Sequence, residues 1–356
     1  GAGGMGAGAG APPAGTSPPE AGAGAGAPAA GSGGAGGMVA PRNCRPSVDS
    51  LAVSGADRVG YPPYASSGCT LLYVAGDGSL RLRGLDDTAD ETIAQADELP
   101  QRPTIAGELI AWESARDQLV RVRFAGKVHD IRGAYDRTGQ PRASEDAVVF
   151  TGFKGQDADI ALYEPANDRV RVIASGAGQQ LFPDISATQI AYSDFSEDPD
   201  GAFDDDGMDL ADVVLIDRAT LQARTLKLPG KQAFPLLRTN GDVVYLHWAE
   251  SHPEPKLSAY TIVAWDAKLD ARTELALVQT QPPYVRPSVA NDTVEWVERP
   301  YTGDERLMRV RQQKPAEVAF SSAGLKLYAT ASSTTLTLLA TQSDAEPVPR
   351  LRAISR

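Results

Sequence analysis

The chain has 356 residues, of which 46 are acidic and 34 are basic, and its formal net charge is −12. Such an acidic chain disfavours nucleic acid and anionic membrane surfaces as partners, because both carry the same sign of charge. No apolar run approaches the roughly eighteen residues that span a bilayer, so no transmembrane segment is expected.

Residues 1–40 consist almost entirely of Gly, Ala, Pro and Ser, with Glu20 as the only charge and no aromatic residue. Such a segment cannot bury enough apolar surface to offset the entropy that is lost on ordering. We therefore expect a disordered, low-complexity tether that reaches about 35 Å on average, followed by one folded domain over residues 41–356. Because the chain begins with Gly, we expect that a targeting segment, and with it a lipid anchor, preceded the tether.

Two cysteines, Cys44 and Cys69, lie near the start of the predicted domain. A disulfide between them would close a loop of about 26 residues, for which chain entropy predicts roughly 3–4 kcal/mol of stabilisation. The alternative is a pair of unrelated buried thiols. The tether before Cys44 favours the disulfide, and a disulfide indicates an exported protein of the periplasm, outer envelope or cell surface.

Seven phrases of similar pattern recur along the domain. Each begins with Pro, continues with four to six mixed residues and ends in a short apolar run whose last residue is aromatic; the seventh, residues 319–328, lacks the Pro. The aromatics are separated by 39, 38, 42, 53, 51 and 32 residues, and a repeat near forty residues built from short strands predicts propeller blades. The closing aromatics are Tyr73, Trp112, Phe150, Tyr192, Tyr245, Trp296 and Tyr328.

Alternating apolar and polar residues follow each aromatic, as in residues 118–124 and 159–165, and this period of two predicts strands. Helical patterns are scarce, and the best covers residues 86–99. The fold class is therefore an all-β propeller with seven blades, with six blades and a β-sandwich as alternatives. We expect each Pro at the entry to a strand, and residues 47–53 beside 351–355, closing the last blade while the disulfide pins them to the first.

Two segments resemble the blades of the TolB-like propeller group, in which Pro-x-x-Ser, an apolar strand ending in an aromatic and the triplet DIY follow one another. They are FPDISATQIAYSD at 182–194 and ADIALYE at 158–164, while DVVL replaces the triplet at 212–215. The resemblance covers roughly residues 60–330 and concerns the fold. The group includes periplasmic partner-binding proteins and substrate-gating domains of some peptidases, so the resemblance implies an exported, non-catalytic protein.

The two longest spacings place extra residues after the fourth and fifth aromatics, at 194–212 and 250–257. If each aromatic ends an equivalent strand, both loops leave the same face of the disc. Loops on a rigid scaffold frequently carry function, and tolerated drift in surface loops is the alternative. The sequence predicts a binding rim of side chains on or beside these loops: Phe195, Phe203, Trp248, His252 and Tyr301.

The first of these loops carries nine carboxylates between Asp194 and Asp212, with no Lys or Arg among them. Ca²⁺ takes six to eight oxygen ligands, and Gly201 and Gly207 permit tight turns. The spacing departs from an EF-hand, because no Glu stands at the twelfth place. Two interpretations remain, a solvated acidic loop that meets a basic partner and a Ca²⁺ site formed by Asp200, Asp204, Asp206 and Asp209.

No catalytic motif stands out. The chain has three histidines, His129, His247 and His252, and it lacks G-x-S-x-G, P-loop and H-E-x-x-H sequences. The main hypothesis is a tethered, exported, non-catalytic binding or scaffold module whose acidic, loop-rich face docks a protein or an envelope component. The alternative is a propeller hydrolase or lyase that acts on carbohydrate or peptide at the central axis. Histidines, arginines and carboxylates converging there would favour the enzyme, and an apolar or plugged axis with an aromatic rim would favour binding.

Overall fold

A computed structural model describes residues 44, 47–49, 51–55, 61–203, 210–249, 259–280, 286–311, 314–333 and 336–356. The chain divides into two units, Gly1–Ala40 and Pro41–Arg356. The tether predicted for residues 1–40 lies outside the described residues, and everything below concerns the second unit. In the part of the chain that the structure describes, no helix is long and apolar enough to cross a membrane.

The described residues form seven antiparallel sheets in which strands that are consecutive in the chain lie side by side. These are the seven blades of a propeller, so the predicted fold class and blade number are confirmed. Blades 1 to 4 contain β1 (Tyr64–Ser67), β2 (Thr70–Val74), β3 (Leu80–Gly84) and β4 (Glu91–Ala94); β5 (Pro100–Ala106), β6 (Leu109–Ser114), β7 (Leu119–Phe124) and β8 (Lys127–Ile131); β9 (Arg137–Ala143), β10 (Val148–Lys154), β11 (Asp157–Glu164) and β12 (Arg169–Ala174); and β13 (Gln180–Ile185), β14 (Gln189–Asp194), β15 (Asp212–Asp217) and β16 (Ala223–Leu226).

The remaining blades follow the same order, and the seventh has three strands among the described residues. Two short 3₁₀ turns, Ala96–Glu98 and Pro165–Asn167, account for the described helical structure. Blades 5 to 7 contain β17 (Lys231–Leu237), β18 (Val243–Trp248), β19 (Ala259–Asp266) and β20 (Ala271–Gln279); β21 (Ser288–Ala290), β22 (Thr293–Glu298), β23 (Arg306–Arg311) and β24 (Glu317–Ser321); and β25 (Lys326–Ser332), β26 (Leu336–Ser343) and β27 (Glu346–Ser355).

Packing between neighbouring blades explains the recurring aromatic residue. Trp112 of blade 2 packs against Leu72 and Val74 of blade 1, and the other repeat aromatics on second strands contact the preceding blade in the same way. Burying a large aromatic side chain removes 150–250 Å² or so of surface from water, which makes these residues leading contributors to stability. The six are Tyr73, Trp112, Phe150, Tyr192, Tyr245 and Trp296, and all are buried.

The recurring Pro lies at the entry to the first strand in blades 1 and 6, as the sequence pattern predicted, but inside the first strand in blades 2 to 5. Pro103 lies within β5, for example, at a shift in the pairing register between Gln101 and Thr104. At such a bulge a residue has no partner in the ladder, so the missing N–H of Pro is tolerated. The residue before Pro has a positive φ in four blades: Arg102, Gln140, Phe182 and Phe234.

The seventh phrase was assigned to the wrong strand. Tyr328 lies in β25, a first strand, whereas the other six aromatics lie in second strands. On the face of β26 that packs against blade 6, Leu339 takes the place of the aromatic, whereas Ala340 packs toward blade 1. Tyr64 of blade 1 reaches this small residue: its hydroxyl accepts from the backbone N of Ala340 at 2.7 Å and donates to the carbonyl of Ala329. Tyr64 thus fastens the first blade to the last.

Ring closure follows the sequence prediction. The backbone N of Val53 donates to the carbonyl of Pro349 at 3.0 Å, and the backbone N of Leu351 donates to the carbonyl of Leu51 at 2.9 Å. The N-terminal segment therefore pairs with β27 and adds to the last blade. Immediately afterwards, the N of Ser54 donates to the carbonyl of Val74 in blade 1 at 3.1 Å.

The predicted disulfide is present. Cys44 and Cys69 are bonded, with 5.6 Å between their Cα atoms. Cys69 lies in the turn between β1 and β2, so the bond fastens the segment that leads into the closing strand to blade 1.

Candidate functional site

A cavity of about 240 Å³ occupies the centre of the disc, and the first strands of all seven blades line it. The residue directly after the repeated Pro lines this cavity in blades 2 to 6, and Ala65 of blade 1 and Thr330 of blade 7 line it as well. The seven positions are Ala65, Thr104, Arg142, Asp184, Leu236, Ser288 and Thr330. The axis is therefore polar, and it is neither the apolar plug nor the histidine-bearing funnel considered from the sequence.

Arg286 and Tyr61 lie together in the wall of this cavity, which we call the axial cavity. Both are buried, and the guanidinium carbon of Arg286 lies 4.9 Å from the centre of the Tyr61 ring. Nη2 of Arg286 donates to the carbonyl of Pro235 at 3.0 Å. Burial lowers the pKa of the Arg286 guanidinium, since a low-dielectric site disfavours the charged form.

Two further guanidinium groups approach the same tyrosine. The guanidinium carbon of Arg142 lies 5.6 Å and that of Arg102 lies 5.4 Å from the ring centre of Tyr61. Each has a carboxylate nearby: Nε of Arg142 lies 3.4 Å from Oδ1 of Asp184, and Nη1 of Arg102 donates to Oε2 of Glu113 at 2.8 Å. The cluster holds more guanidinium groups than carboxylates.

Hydroxyl groups also line the axial cavity. Ser288 Oγ lies 2.6 Å from Thr330 Oγ1 and 2.6 Å from Ser332 Oγ. Ser332 donates in turn to Oε2 of the fully buried Glu295 at 2.6 Å. Ser66 Oγ is buried without a hydrogen-bond partner among the described residues. The axial cavity thus offers both charged nitrogen donors and hydroxyl groups.

Sequence reasoning missed the charged residues of the axial cavity, although the repeat contained a signal for them. Arg142 and Asp184 directly follow the repeated Pro, and Arg286 directly precedes it. In a propeller, the first strand of each blade faces the axis, so the positions beside Pro in aligned phrases identify the lining residues.

The two long loops connect the second and third strands of neighbouring blades, β14 to β15 and β18 to β19. Equivalent connections in a propeller leave the disc at one face, as the sequence predicted. Blade 3, by contrast, joins its second and third strands through Gly155 and Gln156 alone. Residues 204–209 and 250–258 of the long loops lie outside the described residues.

In the described part of the acidic loop, aspartate side chains accept hydrogen bonds from backbone N–H groups of the same loop. Asp198 accepts from the backbone N of Leu210 at 2.6 Å and from that of Asp200 at 3.2 Å, and Asp200 accepts from the backbone N of Ala202 at 2.9 Å. Burial raises the pKa of Asp198, whereas the hydrogen bond from Ala202 lowers the pKa of Asp200. At the end of the loop, burial raises the pKa of Asp212 to about 6, and the charge of Glu197 adds to the effect.

The calcium prediction is untested by this structure. Among the described residues, no group of three or more metal-ligating side chains is placed to hold an ion. Of the four predicted ligands, Asp200 is described, while Asp204, Asp206 and Asp209 lie outside the described residues.

The structure corrects the predicted aromatic rim. Phe195 and Trp248 are buried, and Phe203 is partly buried. All three belong to one aromatic cluster under the loop, in which the Phe203 ring lies 5.1 Å from that of Phe182 and 6.0 Å from that of Phe234. Sequence position beside a loop did not distinguish side chains that anchor the loop from side chains that face solvent.

The last two predicted rim residues have different outcomes. Tyr301 is 64% exposed on the connection from β22 to β23, in keeping with a rim position. His252 lies outside the described residues. The two described histidines stand apart from the axial cavity: His129 lies 3.5 Å from a carboxylate oxygen of Asp168, and His247 bonds the carbonyl of Pro229.

Comparison with known proteins supports the propeller fold and does not identify a function. No protein-family model matches the chain, and no curated protein matches it. The β-propeller domain of the trilobed protease from Pyrococcus furiosus is similar, with a TM-score of 0.59 and 9% identity over 85% of this chain and 94% of that chain. Oligogalacturonate lyase from Vibrio parahaemolyticus also has a TM-score of 0.59, with 10% identity over 87% of this chain and 91% of that chain.

A structure of TolB from Acinetobacter baumannii matches with a TM-score of 0.45 and 13% identity, over 78% of this chain and 59% of that chain. The chain thus spans less than two thirds of that TolB. The two matches with a TM-score of 0.59 show a shared propeller fold, and propeller folds serve many functions.

Proposed function

We propose that this protein is a non-catalytic binding module of the exported propeller type, and that it takes up a small polar ligand in the axial cavity. The observation that carries the proposal is the polar wall of this cavity, where Arg142, Asp184 and Arg286 face one space. Ligand sites in proteins are concave and contain a few convergent polar groups. The cavity lies slightly below the usual 300–1,000 Å³ or so for such sites, which favours a small ligand.

The lining supports binding over the alternative of a hydrolase or lyase at the axis. Among the described lining residues, Asp184 is the one carboxylate, and none is a histidine. Asp184 already accepts from the backbone N of Leu237 at 2.7 Å and lies near Arg142. General acid–base chemistry needs a group that can exchange a proton with the ligand, and a carboxylate held by donors is poorly suited to that role.

The exported setting is part of the proposal, and the Cys44–Cys69 disulfide supports it. Disulfides persist in oxidising compartments and are rare in the cytosol. An exported propeller of this kind would act at the cell envelope or the cell surface.

The test is calorimetric titration of the intact protein with small sugars and sugar acids, followed by chromatography of the recovered ligand. We expect saturable binding of at least one probe, with the probe recovered unchanged. Ala65→Trp fills the axial cavity and should abolish binding, whereas Ala223→Trp, on the exposed outer strand β16, should not. Chemical conversion of the probe, or binding that survives Ala65→Trp, would contradict the proposal.

The acidic loop face is a second candidate, for docking a basic protein or envelope component. The specific observation is the raised pKa of Asp212, about 6, caused by burial and by the nearby charge of Glu197. Carboxylates crowded in this way are stabilised by an approaching cation. A lysine-rich peptide should bind the protein, and binding should weaken in Glu197→Gln and in about 0.5 M salt, which screens surface charges; binding that ignores both changes would contradict docking by charge.

A further inference from the structure

Arg286 has unused hydrogen-bonding capacity in the axial cavity. The residue is only 4% exposed. Its Nη2 donates to Pro235, but Nε and Nη1 have no hydrogen-bond partner among the described residues. A guanidinium carries five N–H donors, and buried donors without acceptors are unfavourable. A ligand that brought acceptor atoms to Nε and Nη1 would supply the missing hydrogen-bond partners.

The charge around Arg286 specifies the kind of acceptor. Arg142 and Arg286 face the axial cavity together with a single carboxylate, that of Asp184, among the described lining residues. The Tyr61 ring stabilises the positive charge through its face, but a ring face is a weak acceptor for N–H groups. This pocket is therefore locally positive inside a chain whose net charge is −12. An oxyanion supplies both the missing charge and the missing acceptors.

The hydroxyl groups of the axial cavity add a second requirement. Ser288, Thr330 and Ser332 form a chain of hydroxyl contacts at 2.6 Å, and Ser66 Oγ is buried without a partner in the described part of the chain. Hydroxyl groups both donate and accept hydrogen bonds, so they match hydroxyl groups of a ligand. A purely apolar carboxylate would leave Ser66 unpartnered.

We propose that the axial cavity binds a small hydroxylated carboxylate, such as a single sugar acid, with its carboxylate at Arg286 and Arg142 and its hydroxyl groups at the serine and threonine side chains of the lining. This inference deepens the proposed function and rests on it. The cavity volume of about 240 Å³ limits the ligand to about one sugar unit or a small hydroxy acid.

The experiment compares two probes that differ in charge. D-glucuronate carries a carboxylate and hydroxyl groups, and D-glucose carries the hydroxyl groups alone. Calorimetric titration of the intact protein at constant ionic strength should give saturable binding of D-glucuronate and much weaker binding of D-glucose. Inorganic phosphate, titrated in parallel, tests an oxyanion without a hydroxylated carbon skeleton, and it should also bind more weakly than D-glucuronate.

Arg286→Gln should weaken D-glucuronate binding by about 10- to 100-fold, the usual effect of losing a hydrogen bond to a charged group. Arg238→Gln is the matched control, because Arg238 is likewise buried with an unpartnered Nε but lines a different cavity. Thermal unfolding of both variants checks that they fold. Arg286→Lys, which keeps the charge, should lie between wild type and Arg286→Gln.

The possible results distinguish failure of the proposed ligand class from failure of the proposed binding site. If D-glucose binds as tightly as D-glucuronate and Ala65→Trp abolishes both, the axial site exists but the anionic ligand is wrong. If phosphate binds most tightly, the hydroxylated carboxylate is wrong. If Arg286→Gln and Arg238→Gln behave alike, the role of Arg286 is overturned. If no probe binds, the inference fails together with the proposed function.

Discussion

Asp212 begins β15 at the end of the acidic loop, where its carboxylate meets others. Burial raises its pKa to about 6, the charges of Glu197 and Asp194 raise it further, and Lys227 opposes them. Nζ of Lys227 lies 3.9 Å from Oδ2 of Asp212 but makes its closer contact with Glu197. Because the folded state holds the proton of Asp212 more tightly than the unfolded chain does, folding is favoured more when this proton is present.

The sign of the pH effect follows from this pKa. A carboxyl raised from about 3.9 to about 6 makes its contribution to stability at low pH and loses it as pH rises through that window. Asp212→Asn removes the charge and should raise the thermal midpoint at pH 7, with a difference that shrinks as pH falls toward about 4. Unfolding scans between pH 4 and 7 measure it, and Asp217→Asn is the control, because hydrogen bonds from Thr220 lower the pKa of that exposed carboxyl. A pH-independent difference would contradict the assignment.

At the residue scale, the sequence predicted the burial of side chains that recur in the repeat. It did not predict which side chains of an irregular loop face the core. Trp112 and its equivalents recur at a fixed place in a repeated strand, so their burial between blades was foreseeable. Phe195 and Phe203 lie in an irregular loop, where no period indicates which side of the backbone faces the core. Gly178, at φ 77°, lets the Gln179 backbone approach Gly201, with the Gln179 N donating to the Gly201 carbonyl at 2.7 Å. Gln179 also accepts from the backbone N of Phe195 at 2.9 Å and from that of Phe203 at 3.1 Å, and these contacts join residues distant in sequence.

At the scale of elements, one buried carboxylate connects the last two blades. Glu295 of β22 is fully buried and pairs with Arg309 Nε at 2.6 Å and with Arg356 Nη2 at 3.0 Å. It also accepts from Ser332 and Thr337 of blade 7. Burial opposes ionisation, but Arg356, these hydroxyl groups and Arg309 together lower the pKa of Glu295. The contribution of Glu295 to stability is therefore present at neutral pH and is lost as pH falls through its folded pKa.

Glu295→Gln should destabilise the protein by about 3–5 kcal/mol, because it leaves buried guanidinium groups without their counter-charge. Glu298→Gln is a matched control on the same strand: Glu298 pairs at 3.0 Å with Arg306, whose side chain is 41% exposed. Such a surface pair contributes about 1 kcal/mol or less. Urea unfolding at pH 7 measures both free energies, and equal losses for the two variants would show that the buried cluster has no special role.

Some elements were predicted less well because their local pattern conflicted with their place in the fold. Residues 86–99 have the strongest helical pattern, yet they form β4 and a 3₁₀ turn. As the outermost strand of its blade, β4 is mostly exposed, so it needs no alternating apolar face and gives no strand signal. The blade supplies the hydrogen-bonding edge that overrides the weak preference for helix.

The acidic loop contains the predicted Ca²⁺ ligands. Gly201 adopts a positive φ of 71°, as expected of a tight turn at that position. We expect saturable heat on titration with Ca²⁺, loss of that heat in Asp204→Ala combined with Asp206→Ala, and stabilisation of about 2.7 kcal/mol at a hundredfold excess over Kd. Mg²⁺ at the same concentration is the control for ionic strength. Equal responses to the two ions would identify a solvated acidic loop instead.

At the scale of the whole molecule, blade number and ring closure were predictable and the ligand site was not. The repeated phrase predicted the blade count because six of the seven blades bury an aromatic of their second strand against the preceding blade. Ring closure was predictable because the last blade needs a strand from the N-terminal segment to complete its sheet. The axial cavity arises from Arg142, Asp184 and Arg286, which are separated by more than forty residues in sequence. Predicting that these side chains meet requires the pairing register of the first strands. A bulge shifts that register in most blades, so the sequence pattern alone does not give it.

Two links hold the ring closed near the N-terminus, and they act on the same segment. The disulfide joins Cys44 to Cys69, and Val53 pairs with β27 through the hydrogen bond to Pro349. The bond closes a loop of 25 residues' separation, so removing it should cost roughly 3–4 kcal/mol by chain entropy. Val53→Pro removes the backbone donor and should release the closing strand.

Because both changes free one segment, their effects on stability should not add. We expect Cys44→Ser with Cys69→Ser to lower the free energy of unfolding, Val53→Pro to lower it as well, and the combination to cost less than the sum, since a released strand has no further closure to lose. Urea unfolding of the four proteins gives the coupling energy. Ala223→Pro, on the exposed outer strand β16, controls for a general effect of proline. Strict additivity would mean that the disulfide stabilises blade 1 alone and that the ring is closed by strand pairing without it.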